Sequence, residues 1–165
     1  MQTNLDVTLL CGEVGVGKTT LALKKWPSHV LLKGDDTRNQ YATMGALENA
    51  LSDKFDKQYL NTGEIFFDLR TILKNDVAII LDQVELIDEI VIKAIINTAI
   101  SIKRAVLVFI FDLNSQVLIE NRTFRFLLDN DILSQPIEVT ASKDDLQTVL
   151  TSMLPHAERQ WCTLL

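Results

Sequence analysis

Eight residues near the N-terminus restrict the fold of this chain more than any other feature. Gly12-Glu13-Val14-Gly15-Val16-Gly17-Lys18-Thr19 follow the apolar run Val7 to Cys11 and lead into a helix-forming stretch, Lys18 to Lys25, that stops at Trp26-Pro27. The spacing G-x-x-x-x-G-K-[ST], set between a strand and a helix, lets the backbone curl so that several N–H groups point inward at the positive end of a helix dipole. That concavity suits phosphate. Lys18 would bring a full charge to the β- and γ-phosphates and Thr19 a hydroxyl to Mg²⁺, and Thr20 follows in the first helical turn. Gly12, Glu13, Val14, Gly15, Val16, Gly17, Lys18, Thr19 and Thr20 are therefore the expected lining of a nucleoside-triphosphate site, with ATP and Mg²⁺ as its ligands.

A strand feeding directly into a helix calls for a layered α/β domain, and the remaining sequence keeps that alternation. Five short apolar runs suit buried parallel strands: Val7 to Cys11, Val30 to Lys33, Val77 to Leu81, Ala105 to Phe111 and Pro136 to Val139. Helical stretches separate them: Lys18 to Lys25, Thr43 to Tyr59, Glu64 to Leu73, Glu85 to Ile102 and Gln116 to Asp129. Ser142 ahead of Asp144-Asp145 predicts a last helix, running to about Met153. Three prolines and six glycines leave no linker or repeat, so residues 1–165 are expected to form one P-loop domain. Its architecture is a three-layer α/β sandwich with a mainly parallel five-stranded sheet, ligands binding beyond the carboxyl ends of the strands.

Composition narrows the partners. Of 165 residues, 47% are hydrophobic and 23% charged, an ordinary globular balance that excludes disorder. Lys plus Arg at 16 against Asp plus Glu at 22 gives a net charge of −6, which argues against an extended nucleic-acid surface. The longest apolar run, Ala105 to Phe111, is seven residues, far short of the ~20 a membrane-spanning helix needs. Cys11 and Cys162 have no metal-like spacing and build no disulfide framework, so a reducing, cytoplasmic setting is expected. His29 and His156 have no metal-like companions in the sequence.

Two further acidic sites follow strand-like runs. Val77-Ala78-Ile79-Ile80-Leu81 ends in Asp82, either a residue organising the Mg²⁺ shell beside the P-loop or a cap on the following turn. Gln83 comes next, and its amide cannot act as a base. Val30-Leu31-Leu32-Lys33 ends in Gly34-Asp35-Asp36-Thr37-Arg38, either a solvated turn or a set of carboxylates and a guanidinium suited to a hydroxyl acceptor.

The joint order of these segments resembles the P-loop kinases related to polynucleotide kinase and, more distantly, the shikimate and gluconate kinases. The matching residues are Gly12 to Thr19, Asp35-Asp36-Thr37-Arg38, the run from Phe67 to Asp82, and Leu107 to Asp112 leading into Val117 to Arg125. The resemblance implies transfer of the γ-phosphoryl group of ATP to a hydroxyl acceptor. Lys18 would orient the phosphates, Asp35 act as general base, Arg38 bind the substrate, and Arg122 or Arg125 meet the transferring group from a lid. The two arginines can also be read as i,i+3 partners for nearby acids on a helix face. The same elements are similar to an AAA+ ATPase core, in which Asn114 would be a polar sensor of the γ-phosphate, Arg122 or Arg125 a finger, and position 83 that of a water-polarising glutamate. A third reading is a non-catalytic nucleotide-gated switch whose C-terminal stretch His156 to Leu165 docks a partner.

Overall fold

The computed structural model describes residues 5–34, 39–102, 104–132, 137–139 and 162–163. Its strands are β1 (Asp6–Cys11), β2 (His29–Lys33), β3 (Ala78–Asp82), β4 (Val106–Phe111), β5 (Ile137–Glu138) and β6 (Cys162–Thr163). They form one sheet in the order β2-β3-β4-β1-β5-β6, with every neighbouring pair parallel. All five expected strands are present, and the two-residue β6 extends the sheet past β5. The helices are α1 (Lys18–Lys25), α2 (Gln40–Phe55), α3 (Thr62–Lys74), α4 (Glu89–Ile100), α5 (Ser115–Leu118) and α6 (Arg122–Asp129).

Strand order decides the layers. From β1 the chain jumps to β2 at the sheet edge, then steps back through β3 and β4 and crosses β1 to reach β5. The first connection thus runs opposite to all the later ones, and right-handed crossovers send α1 to one face and the later helices to the other. Core packing follows the same division. Val7, Leu9 and Cys11 of β1 join Leu107, Phe109 and Phe111 of β4 in a cluster with Leu47, Leu69, Ile92 and Phe124 from α2, α3, α4 and α6. The alternate residues Leu10, Ile80, Val108 and Ile110 pack with Leu21 and Ala22 of α1. Period-two alternation along buried strands places each set on its own face.

Two long helical patterns prove to be interrupted. Over Glu85 to Ile102 the apolar spacing predicts one helix, yet a 3-10 turn (Val84–Leu86) comes first and α4 starts after Asp88. The reason is a cap: Asp88 Oδ1 accepts from Ile90 N at 2.9 Å and Val91 N at 3.4 Å, offering orphan amides a partner that a continuing helix would not need. Gln116 to Asp129 likewise divides into α5 and α6 at Asn121, whose Oδ1 accepts from Phe124 N at 3.1 Å. α2 begins three residues before the expected Thr43 and ends at Phe55, because Asp56 takes a left-handed φ of 50°. The expected helix from Ser142 to Met153 lies outside the described residues. Among those described, no helix is long and apolar enough to cross a membrane.

The Asp88 cap carries a measurable share of stability. Asp88→Ala should cost about 1 kcal/mol, seen as a drop in melting temperature of roughly 2–4 °C for a chain of this size, whereas Asp88→Asn should recover most of it. A melt of Asp88→Ala coincident with that of the parent would show the cap to be idle.

Candidate functional site

Gly12 to Thr19 connects the carboxyl end of β1, the strand between β4 and β5, to α1. Gly12 sits at φ 146° with its N–H donating to Leu113 O at 2.7 Å, so the loop is tied at its start to the chain leaving β4. A Cβ there would lie 2.4 Å from Val139 O, a close approach that only glycine permits. At the other end Gly17 caps α1 in the left-handed region, with no side chain bonded to the first-turn amides. Those N–H groups keep their donors open, the arrangement that can receive an anion at a helix N-terminus. The loop tip is open, with Val14 75% exposed, and Thr20 is exposed on α1.

Lys18 is buried inside this loop. Its Nζ donates to Gly12 O at 2.8 Å and Glu13 O at 2.6 Å and pairs with Asp112 Oδ1 at 3.0 Å. Thr19 Oγ1 donates to Asp82 Oδ2 at 2.8 Å, joining the loop to the end of β3 across 63 residues of sequence. Asp82 is buried, and its Oδ1 accepts from Gln83 N at 2.9 Å. A hydroxyl and a carboxylate side by side are oxygen donors of the kind Mg²⁺ takes when it keeps several of its waters. Among the described residues no cluster of three His, Cys, Asp or Glu side chains could hold a metal ion.

Two residues that the sequence reading left unassigned complete the site. Asp112, one residue beyond β4, faces Lys18 with one oxygen and accepts from Gln83 Nε2 with the other at 3.1 Å. Glu85 accepts the Asp112 N–H at 3.2 and 3.3 Å, and desolvation, opposed by its backbone hydrogen bonds, leaves its carboxyl above the usual range. A signal for Asp112 exists in the apolar strand that ends in it. Its role becomes visible only once β4 is known to lie between β1 and β3. Cys11 is a core residue: burial and then the charge of Glu138 push its thiol up to about 12, which makes it a poor nucleophile.

Of the other predicted residues, those described make their contacts elsewhere. Arg122 opens α6 with its side chain 90% exposed and its Nε 3.1 Å from Glu89 Oε2. A hydrogen bond from Lys93, then the charges of Lys93 and Arg122, hold the Glu89 carboxyl below its usual range against slight desolvation. Arg125 Nε donates to Ile119 O at 3.0 Å. Asn114 caps α5, its Oδ1 accepting from Gln116 N at 3.1 Å and Val117 N at 3.0 Å. Asp35, Asp36, Thr37 and Arg38 lie outside the described residues. Gly34, just before them, donates its N–H to Asp82 O at 2.8 Å. Compared with family models, curated proteins and solved structures, the chain matches none.

Proposed function

We propose that this chain binds ATP with Mg²⁺ in the loop from Gly12 to Thr19 and hydrolyses it. One observation supports the reading above all: the start of α1 and the ends of β3 and β4 are joined by the Thr19–Asp82, Gln83–Asp112 and Lys18–Asp112 contacts at 2.8, 3.1 and 3.0 Å. Everything a triphosphate needs meets there: backbone amides, an ammonium, a hydroxyl and a carboxylate behind it. Mg²⁺, when bound, draws charge from the β- and γ-phosphate oxygens. Thr19 would contribute its hydroxyl to that ion, and Asp82, by accepting from Thr19, would hold the hydroxyl in place. Lys18 would exchange Asp112 for phosphate oxygens, and the open first turn of α1 would take others. Catalysis in such a site rests on positioning and fixed charge rather than on covalent chemistry.

Transfer to a hydroxyl acceptor is the second reading, and one bond favours it: Gly34, the residue before Asp35 in the sequence, donates its N–H to Asp82 O at 2.8 Å. Titration calorimetry of ATP with Mg²⁺ and with a chelator tests what the two share. ATP should bind at least tenfold tighter with Mg²⁺, about 1.4 kcal/mol, and Asp82→Asn should lose most of that gain. Equal affinity with and without Mg²⁺ would refute the assignment. Release of phosphate to water, measured beside transfer to sugars, nucleosides and 5′-hydroxyl oligonucleotides, separates hydrolysis from the kinase reading.

A further inference from the structure

Lys18 has three N–H donors, and all are spoken for: Gly12 O, Glu13 O and the Asp112 carboxylate. An incoming triphosphate must displace at least one of these. The carbonyls belong to the loop itself, so Asp112 is the partner that a phosphate replaces like for like, anion for anion. Once Lys18 turns to phosphate, the carboxylate of Asp112 keeps, among the described side chains, the Gln83 amide at 3.1 Å. With a side chain 17% exposed, it can still meet a water. The residue after Asp82 is a glutamine and cannot accept a proton, which leaves the base for hydrolysis unfilled at that position.

We propose that Asp112 is the base that activates the attacking water, that Gln83 positions it, and that Lys18 masks it until a triphosphate draws the lysine away. The proposal rests on the hydrolysis reading above. In the step, the water oxygen forms a bond to the γ-phosphorus as an Asp112 oxygen takes its proton. The bond from γ-phosphorus to the bridging oxygen breaks, and its electron pair leaves on ADP. Inorganic phosphate is the second product, and Asp112 returns its proton to solvent as Lys18 re-forms the pair. Of the other carboxylates described in the site, Asp82 is taken up by the Thr19 hydroxyl and the Gln83 N–H, and Glu85 accepts the Asp112 N–H at both oxygens and so clamps the chain leaving β4.

One substitution should have two opposite effects. Asp112→Asn keeps the shape but removes the anion that competes for Lys18, so a fluorescent ATP analogue with Mg²⁺ should bind at least as tightly as in the parent. Single-turnover hydrolysis of ATP should fall by roughly 10²- to 10⁴-fold, the usual contribution of a general base. Gln83→Glu combined with Asp112→Asn moves the carboxylate across the same hydrogen bond and should restore at least a tenfold share of the loss. Parent-rate hydrolysis by Asp112→Asn would overturn the proposal while leaving the hydrolysis reading intact, and so would a joint loss of binding and rate that the paired substitution fails to repair. A parent that binds the analogue yet releases no phosphate in a single turnover would overturn both.

Discussion

Lys18→Ala should weaken Mg²⁺–ATP binding by about tenfold to a hundredfold. The ammonium lies within the loop, fixed by two loop carbonyls and Asp112, so its charge is already desolvated and needs no long search to meet phosphate. Hydrogen bonds to charged groups contribute about 1.5–3 kcal/mol, and a factor of ten is about 1.4 kcal/mol, which sets the range. The substitution also leaves Asp112 without its cation, an uncompensated charge that would repel an incoming phosphate and add to the loss. Calorimetric titration reads the affinity and circular dichroism the fold. Unchanged affinity in a folded variant would mean that the loop does not hold ATP.

The second large effect is expected at Gly12. A side chain there would meet Val139 O at 2.4 Å, backbone rather than a flexible tip, at a φ of 146° that L-residues rarely adopt. Such backbone strain alone costs of order 1–3 kcal/mol, and relief of the clash would have to separate the loop from the chain leaving β5. Gly12→Ala should therefore lose about 3 kcal/mol or more, and at roughly 2–4 °C per kcal/mol its melting temperature should fall by about 6–12 °C. Gly15→Ala is the internal comparison, since a Cβ at Gly15 meets nothing within 4 Å and only its φ of 84° opposes the change. Equal melting temperatures for the two variants would contradict the role given to the Val139 carbonyl.

The order of strands and helices and the loop from Gly12 to Thr19 were legible in the sequence because each is encoded locally. Apolar runs of strand length, a glycine pattern and a helix stop at Trp26-Pro27 need no knowledge of what lies elsewhere. Helix interruptions at Asp88 and Asn121 were not read from the periodicity, since apolar spacing carries through a break when both pieces face the same core. Polar capping residues mark those breaks, and side-chain acceptors made the decision there. Asp112 was hidden for a different reason. Asn114 invites attention as a polar residue after a strand, but its oxygen is used to cap α5, while Asp112 acquires its importance from strand order, a property of the whole sheet. Asp82, by contrast, announces itself through the apolar strand it ends, and its carboxylate accepts from the Thr19 hydroxyl and the Gln83 N–H.

The order β2-β3-β4-β1-β5-β6 also bears on how the molecule assembles as it is made. β1 leaves the ribosome first, yet its register partners are β4, with Asp6 opposite Val106, and β5, with Leu10 opposite Ile137. Roughly a hundred residues of chain must therefore be synthesised before β1 can pair, a matter of about 5–20 s at ordinary elongation rates. Closing so long a segment is a slow, non-local event. Until it happens Gly12 lacks the Leu113 carbonyl and Lys18 lacks Asp112. In that interval Gly12 to Thr19 lack the contacts that fix them in the finished sheet, so the geometry of the loop is a late product of assembly rather than an early one.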